Sequence, residues 1–182
     1  MVQPNVAFTW GNHDAAWLGA CIGNEALIAH VVRISLRYRN ILQLEEGYGV
    51  PLQPIEYLVR HVYKDDPALC FKPKAEGLRE PVMLARMQKA IAIIQFKLEG
   101  QMLARRPEWN LTHRRLLHTI NTNDKTIMID GKVCHLKDAS FPTINPNDPY
   151  TLTEDEQICL EKLKTSFLSS DKLFNHMRYL RD

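Results

Sequence analysis

The sequence lacks several features that would place it in a specialised class of protein. No apolar run approaches the roughly 18–20 residues of a membrane span, and the opening MVQPNVAFTW has no charged leader or hydrophobic segment of the signal-peptide type. Excess charge is absent too, because 23 Lys and Arg balance 21 Asp and Glu to a net charge of +2. These absences argue against export, membrane insertion and general nucleic-acid binding, and they predict a cytoplasmic protein.

Paired metal-binding or disulfide spacing is also missing. The four cysteines, at positions 21, 70, 134 and 159, form no CxxC pair, which predicts reduced thiols that lie mostly in the core. His113 and His118 are five residues apart, which differs from the i, i+4 spacing of a helical zinc pair. The remaining histidines stand alone in the sequence, so neither the cysteines nor the histidines give a strong signal of a metal site.

Helical periodicity dominates the 182-residue chain, whose 45% hydrophobic content is that of an ordinary globular domain. The strongest signal is one long helix from Glu80 to Arg106, which is entered at a proline, stops before Pro107 and has one apolar stripe. Shorter helices are predicted after the GNHD stretch of residues 11–14, after the cap residue Asn24, from Pro54, from Thr112, from the capping box of residues 153–156, and after Ser170. The predicted fold class is mainly α, a multi-helix assembly around one long central helix.

Two segments carry a β signal. Val6–Trp10 predicts a short N-terminal strand, and residues 126–136 predict a hairpin around the two-residue turn Asp130-Gly131. Residues 137–150 contain three prolines and predict a long irregular connection, for which a lid or an arm reaching a neighbour is one interpretation.

Polar residues inside the predicted central helix leave their environment open. Lys97 and Gln101 share a helical face, and the pattern favours plain solvent-exposed surface over a substrate cleft or an oligomer interface. The basic cluster that follows, Arg105-Arg106 with Trp109 and residues 113–115, favours a solvated helix end over a site for a sugar phosphate, RNA or an acidic partner.

The stretch Gly11-Asn12-His13-Asp14 lies between a predicted strand and a predicted helix, where α/β folds present reactive side chains. In that interpretation Asn12 offers a neutral oxygen to a metal ion, His13 donates a proton to a phosphate or leaving-group oxygen, and Asp14 orients the imidazole. The alternative is a purely structural turn, in which Asn12 takes an unusual backbone dihedral and Asp14 caps the following helix.

The string WGNHDAAWLGAC resembles the GNHD block of binuclear-metal phosphoesterases of the calcineurin-like superfamily, in particular the bacterial class III fructose-1,6-bisphosphatases of the Firmicutes and Bacteroidetes type. The similarity continues in family order from Trp10 towards the C-terminus, through RISLRYRNILQLEEGYGVPLQPIEYL, YKDDPALCFKPK, QKAIAIIQFKLEGQMLARRPEWN, HRRLLHTIN, IDGKVCHLKDASFPTINPNDPYTLTEDE and LKTSFLSSDKLFNHMRYL.

The resemblance implies a role for each residue of the block. Asn12 would be a metal ligand, His13 a catalytic residue that contacts the scissile phosphate and assists the leaving alkoxide, and Asp14 the residue that orients His13. The implied reaction is hydrolysis of the 1-phosphate of fructose 1,6-bisphosphate to fructose 6-phosphate and phosphate, a step of gluconeogenesis. A metal-activated hydroxide would attack, with two divalent metals, typically manganese.

The sequence also departs from the superfamily pattern. The metal-binding blocks GDxHG and GDxxDRG are missing, since the chain contains no GD dipeptide. The resemblance therefore implies an internal fragment, inactive as an isolated chain, in which residues 1–14 form a strand and the GNHD corner and residues 15–182 form a helical insertion. The alternative is a non-catalytic helical interaction or assembly module derived from that enzyme. Apolar surface near Trp10 and Trp17 would be exposed or covered by another copy, so a homo-oligomer is expected.

Overall fold

The computed structural model describes residues 9–71 and 80–181, and within them it is mainly helical, as the periodicity predicts. The α-helices and β-strands in these ranges are α1 (Asn12–Cys21), α2 (Glu25–Tyr38), α3 (Gln53–Val62), α4 (Pro81–Arg105), β1 (Ile120–Asn121), β2 (Thr126–Ile129), β3 (Lys132–His135), α5 (Glu154–Leu168) and α6 (Asp171–Arg181). The predicted strand at Val6–Trp10 lies mostly outside the described residues, and Thr9 and Trp10 belong to no regular element.

Helix α4 is the predicted long central helix, and its ends differ from the prediction by one residue each. Its 25 residues span about 37 Å, and it packs against both α2 and α3. Buried residues occur around most of its circumference, in place of the single predicted stripe. A helix buried on most sides is a core helix, so α4 forms the centre of the fold.

The prediction of solvent exposure for Lys97 is wrong. Its side chain is fully buried, and Nζ donates to Glu156 Oε2 at 2.7 Å and to the carbonyl oxygen of Thr143 at 2.6 Å. The reason is tertiary: the start of α5 and the connection before it cover this side of α4. Gln101, one turn later, is half-buried and donates to the carbonyl oxygen of Tyr150 at 2.7 Å.

A second buried lysine lies further towards the start of α4. Lys89 Nζ donates to both carboxylate oxygens of Asp66, at 2.8 and 2.9 Å, and to Asp138 Oδ1 at 2.9 Å. Together with the contacts of Lys97 and Gln101, this ion cluster fixes the connection of residues 137–150 to α4 at three points. Such anchoring is not that of a free lid or a projecting arm.

Local signals place the helix starts correctly. The Asn24 side chain accepts from the Leu27 N–H at 3.1 Å and caps α2. Thr153 and Glu156 form the predicted reciprocal capping box at the start of α5. Ser170 Oγ accepts from the Leu173 N–H at 3.1 Å at the start of α6.

The short helix predicted from Thr112 is wrong. Residues 112–114 and 117–119 form separate 3₁₀ turns, and Ile120 begins a strand. Pairing of Ile120 with Ile127 adds β1 to the predicted hairpin, which becomes a three-stranded antiparallel sheet. The apolar residues that suggested a helix are therefore used by sheet pairing and packing instead.

The hairpin turn itself is as predicted. β2 and β3 pair antiparallel in the register Ile127 with Cys134, and Asp130 and Gly131 both have positive φ, at 49° and 75°. Two consecutive residues of positive φ are what a two-residue hairpin turn of this type requires.

One hydrophobic core joins α1 to the other helices, since Ala16, Ala20 and Cys21 belong to the same buried cluster as residues of α2 to α6. The predicted boundary between the GNHD corner, residues 1–14, and the helical insertion, residues 15–182, stays a prediction.

All four cysteines are free thiols, but Cys70 and Cys134 are exposed, so only two lie in the core. Within the described ranges, no helix has both the length and the apolar character to cross a membrane.

Candidate functional site at the GNHD corner

The GNHD stretch forms the start of helix α1. Gly11 is the cap residue with extended backbone angles, φ −91° and ψ 166°, and Asn12 is the first helical residue. The Asp14 carboxylate accepts from the Gly11 N–H at 2.9 Å. An acidic group in the first turn also interacts favourably with the positive end of the helix dipole. Asp14 therefore caps the start of the helix, as the purely structural interpretation of this stretch expects. Asn12 is an ordinary helical residue, without the unusual backbone dihedral that the same interpretation expects.

Asn12 and His13 are both exposed at this helix end. The first N–H groups of a helix lack partners within the helix, so this end favours an anion such as a phosphate. Adjacent residues of a helix do not face one another, and in the described structure no hydrogen bond joins Asp14 to His13. The roles assigned to Asn12, His13 and Asp14 stay predictions.

The described residues do not form a metal cage around this corner. No group of three or more His, Cys, Asp and Glu side chains in residues 9–71 and 80–181 comes close enough together to hold a metal ion. Asn12 contributes one neutral oxygen, and Asp14 already uses one carboxylate oxygen within the turn. The chemistry of Asn12 suits one ligand of a metal site, but the described part of this corner does not supply the ligands of two metals by itself.

His13 lines a polar cavity together with His30, which the sequence analysis did not single out as functional. His30 lies on α2, and its Nδ1 is 3.3 Å from Gln95 Nε2 on α4 and 3.5 Å from the Arg33 guanidinium. Burial, followed by the nearby Arg33 charge, lowers the pKa of His30 below its usual value, while Glu99 acts in the opposite direction.

The network behind His30 is what the sequence analysis missed. Gln95 accepts from Arg33 Nε at 2.7 Å and donates to Glu99 Oε1 at 2.6 Å. Burial also lowers the pKa of the Arg33 guanidinium. A signal was present, because residues 95 and 99 lie one turn apart on the central helix, but their partners on α2 are more than 60 residues away.

Three other histidines have structural partners. His61 Nδ1 contacts the Tyr57 carbonyl oxygen within α3, His176 Nδ1 contacts the Tyr48 hydroxyl, and His118 Nδ1 contacts the Tyr150 hydroxyl.

The basic cluster after α4 is only partly solvent-exposed. Arg106 pairs with Glu108 on the surface, as expected for a solvated helix end. The Arg115 guanidinium instead lies 4.5 Å from the centre of the Tyr150 ring.

Comparison with known proteins places the whole chain in one family. The family model for the Firmicute fructose-1,6-bisphosphatase matches residues 1–182. Among curated proteins, the chain is 47% identical over 181 residues to the class 3 fructose-1,6-bisphosphatase of Alkaliphilus metalliredigens and 48% identical over 181 residues to a class 3 enzyme of Clostridium beijerinckii. It is 45% identical over 177 residues to the enzyme of Porphyromonas gingivalis.

These alignments cover 97%, 97% and 94% of this chain but only 27% of each relative. The chain therefore spans about a quarter of the length of the curated relatives it matches. No solved structure matches it. Because the family model matches every residue of the sequence, the chain belongs to the Firmicute fructose-1,6-bisphosphatase family.

Proposed function

We propose that this chain supplies the GNHD corner and the helical part of a phosphoric monoester hydrolase. The substrate is fructose 1,6-bisphosphate, and the reaction releases the 1-phosphate and leaves fructose 6-phosphate. The supporting observation is the match of residues 1–182 to a fructose-1,6-bisphosphatase family, combined with an exposed His13 at the amino end of α1. The proposed place of action is the cytoplasm.

His13 carries the proton chemistry in this proposal. Its imidazole is accessible to a phosphate at a helix end that attracts anions. The protonated ring donates to the ester oxygen as that oxygen leaves, which avoids the release of a free alkoxide. Asp14 holds the turn through the Gly11 N–H and so fixes where His13 projects. A direct contact from Asp14 to the His13 ring is proposed only for the bound state.

Asn12 is the proposed metal ligand of this corner. In two-metal phosphatases the ions lower the pKa of a bound water and stabilise the attacking and leaving oxygens. The described residues do not build such a site alone, so we propose that the remaining ligands come from sequence outside this chain. Manganese is the proposed metal.

A chimera tests the proposed function. The segment of the Clostridium beijerinckii enzyme that aligns with this chain is replaced by the 182 residues, which are 48% identical to it. Phosphate release from fructose 1,6-bisphosphate is then measured with manganese chloride. The proposal predicts activity within about tenfold of the parent enzyme. A folded, metal-loaded chimera without activity would contradict it and favour the helical interaction module.

The isolated chain provides a second test. Because it is expected to lack a complete metal cage, it should release no more phosphate in manganese than its His13→Ala variant does. Activity above that variant would contradict the proposal that the remaining metal ligands come from outside this chain.

We also propose that the chain self-associates through apolar surface near Trp10, which is 49% exposed. Trp17 contributes less to this surface, because it is half-buried against the core. A strict monomer at high concentration by light scattering would contradict this part.

A further inference from the structure

A polar cavity of about 280 Å³ opens beside His13. His13 and Trp17 line it from α1, His30 and Tyr38 from α2, and Asn40 and Gln43 from the segment that follows α2. Cavities of this size are near the lower end of the range that holds small molecules. Among the described residues that line it, none is Lys or Arg.

The proton position on His30 follows from its neighbours. Arg33 Nε can only donate, so the atom of Gln95 that it contacts at 2.7 Å is the amide oxygen. The Gln95 NH₂ group therefore faces Glu99 Oε1 at 2.6 Å and His30 Nδ1 at 3.3 Å. Because both the NH₂ group and the Arg33 guanidinium are donors only, Nδ1 must accept, and the neutral ring holds its proton on Nε2.

The same surroundings disfavour the charged form of His30. Burial and the Arg33 charge lower the pKa of His30, and the nearby His13 lowers it further, while Glu99 opposes them with a smaller effect than burial or Arg33. The neutral ring presents an Nε2–H donor, and the hydrogen bonds of His30 to other described residues all involve Nδ1. Nε2 is on the opposite side of the ring from the Arg33, Gln95 and Glu99 network.

We infer that this cavity is the subsite for the hydroxyl-bearing sugar body of the substrate, with His30 Nε2–H as donor to one sugar oxygen. The inference rests on the proposed function, which places the scissile phosphate at His13. A phosphate selects Arg and Lys, which the lining lacks, whereas neutral donors and acceptors suit hydroxyl groups. Trp17 and Tyr38 provide aromatic surface for the apolar face of a sugar ring. His30 is the specificity residue of this subsite, and Gln95 is a positioning residue that fixes its tautomer.

Nitrogen-15 NMR of the histidine rings in this chain tests the assignment. The His30 signals, identified by their loss in His30→Ala, are expected to show the Nε2–H tautomer. The chain is titrated separately with fructose 6-phosphate, fructose and inorganic phosphate. Both sugars should shift the His30 signals, while inorganic phosphate should shift the His13 signals more than those of His30.

Matched variants separate binding from folding. His30→Ala should weaken the binding of fructose 6-phosphate about fivefold, the effect of losing one neutral hydrogen bond. His30→Gln, which restores a donor, should recover part of that loss. His61→Ala is the control, because His61 is exposed on α3 and its contacts with the Tyr57 carbonyl and the Tyr57 ring stay within its own helix. Far-UV circular dichroism checks that each variant folds.

The outcomes distinguish this inference from the proposed function. Sugar titrations that leave His30 unshifted, or a His30 ring protonated on Nδ1, would overturn the subsite. So would an active chimera whose KM for fructose 1,6-bisphosphate is unchanged by His30→Ala. An inactive chimera would instead refute the proposed function, and sugar binding at His30 would then still be measured directly on the chain.

Discussion

The buried pair of Lys97 and Glu156 provides the most demanding test of how this fold is held together. Both side chains are fully buried, and Lys97 Nζ contacts Glu156 Oε2 and the Thr143 carbonyl oxygen. Glu156 Oε1 has no hydrogen-bond partner in the described structure, and the other oxygen also accepts from the Thr153 N–H. Replacing Lys97 by Met keeps most of the volume but leaves the carboxylate buried without its cation.

The expected cost follows from that geometry. Removing one partner of a buried ion pair destabilises a protein by about 3–5 kcal/mol. The Thr143 carbonyl also loses a donor, worth about 1 kcal/mol, whereas the apolar Met side chain returns a similar amount. Lys97→Met should therefore lower the free energy of unfolding by about 3–5 kcal/mol, a large share of the roughly 5–15 kcal/mol typical of a domain.

The double variant Lys97→Met with Glu156→Gln should be more stable than Lys97→Met alone, by about 2 kcal/mol. It removes the uncompensated charge, and the Gln oxygen can still accept from the Thr153 N–H. Urea unfolding followed by circular dichroism measures each free energy and checks that the m-value is constant. Lys164→Met is the control, because its pair with Glu25 at 2.8 Å is on the surface and its loss should have little effect. Equal effects of Lys97→Met and Lys164→Met, or no recovery in the double variant, would contradict the stabilising role assigned to the buried Lys97–Glu156 pair.

Three further predictions test other parts of the structure. At pH 8 two thiols of the native protein, the exposed Cys70 and Cys134, should react rapidly with a disulfide reagent. Burial raises the pKa of Cys159 to about 12 and also raises that of Cys21, so rapid reaction of all four thiols would contradict this prediction. Gly100→Ala should lower the melting temperature, because the new Cβ would collide with the Tyr150 ring at a cost of about 1–3 kcal/mol. This cost should exceed the gain of about 1 kcal/mol that Ala gives a helix over Gly, and a more stable variant would contradict the prediction. The pKa of His30 is lowered in the folded protein, so near the usual value of 6.5 the unfolded chain binds more protons than the folded one. The free energy of unfolding should therefore fall as the pH drops through about 6.5. Urea unfolding at several pH values should show a smaller fall for His30→Gln.

Much of the fold could be predicted because its signals are local. The caps at Asn24 and Thr153 and the turn at Asp130-Gly131 involve residues within four positions of one another. Residues 112–121 could not be assigned correctly, because their apolar pattern fits a short helix equally well. Only the pairing of Ile120 with Ile127 decides for a strand.

The candidate site shows the same division. The GNHD stretch is contiguous, so its helix-start geometry and its family resemblance could both be recognised in the sequence. The network that orients His30 joins residues 62 and 65 positions apart, and Lys97 meets partners 46 and 59 positions away. Polar residues on a helix are usually exposed, and only the packing of α4 in the centre of the fold reverses that expectation.

His13 is the proposed proton donor of the phosphatase reaction, and a comparison of His13→Ala with His61→Ala in the chimera tests this role. Phosphorus-31 NMR follows the release of phosphate from fructose 1,6-bisphosphate in manganese. General acid catalysis is worth about 10²–10⁴ in rate, so His13→Ala should lower kcat at least about a hundredfold, and His61→Ala should leave it unchanged. Equal rates for the two variants would contradict a catalytic role for His13.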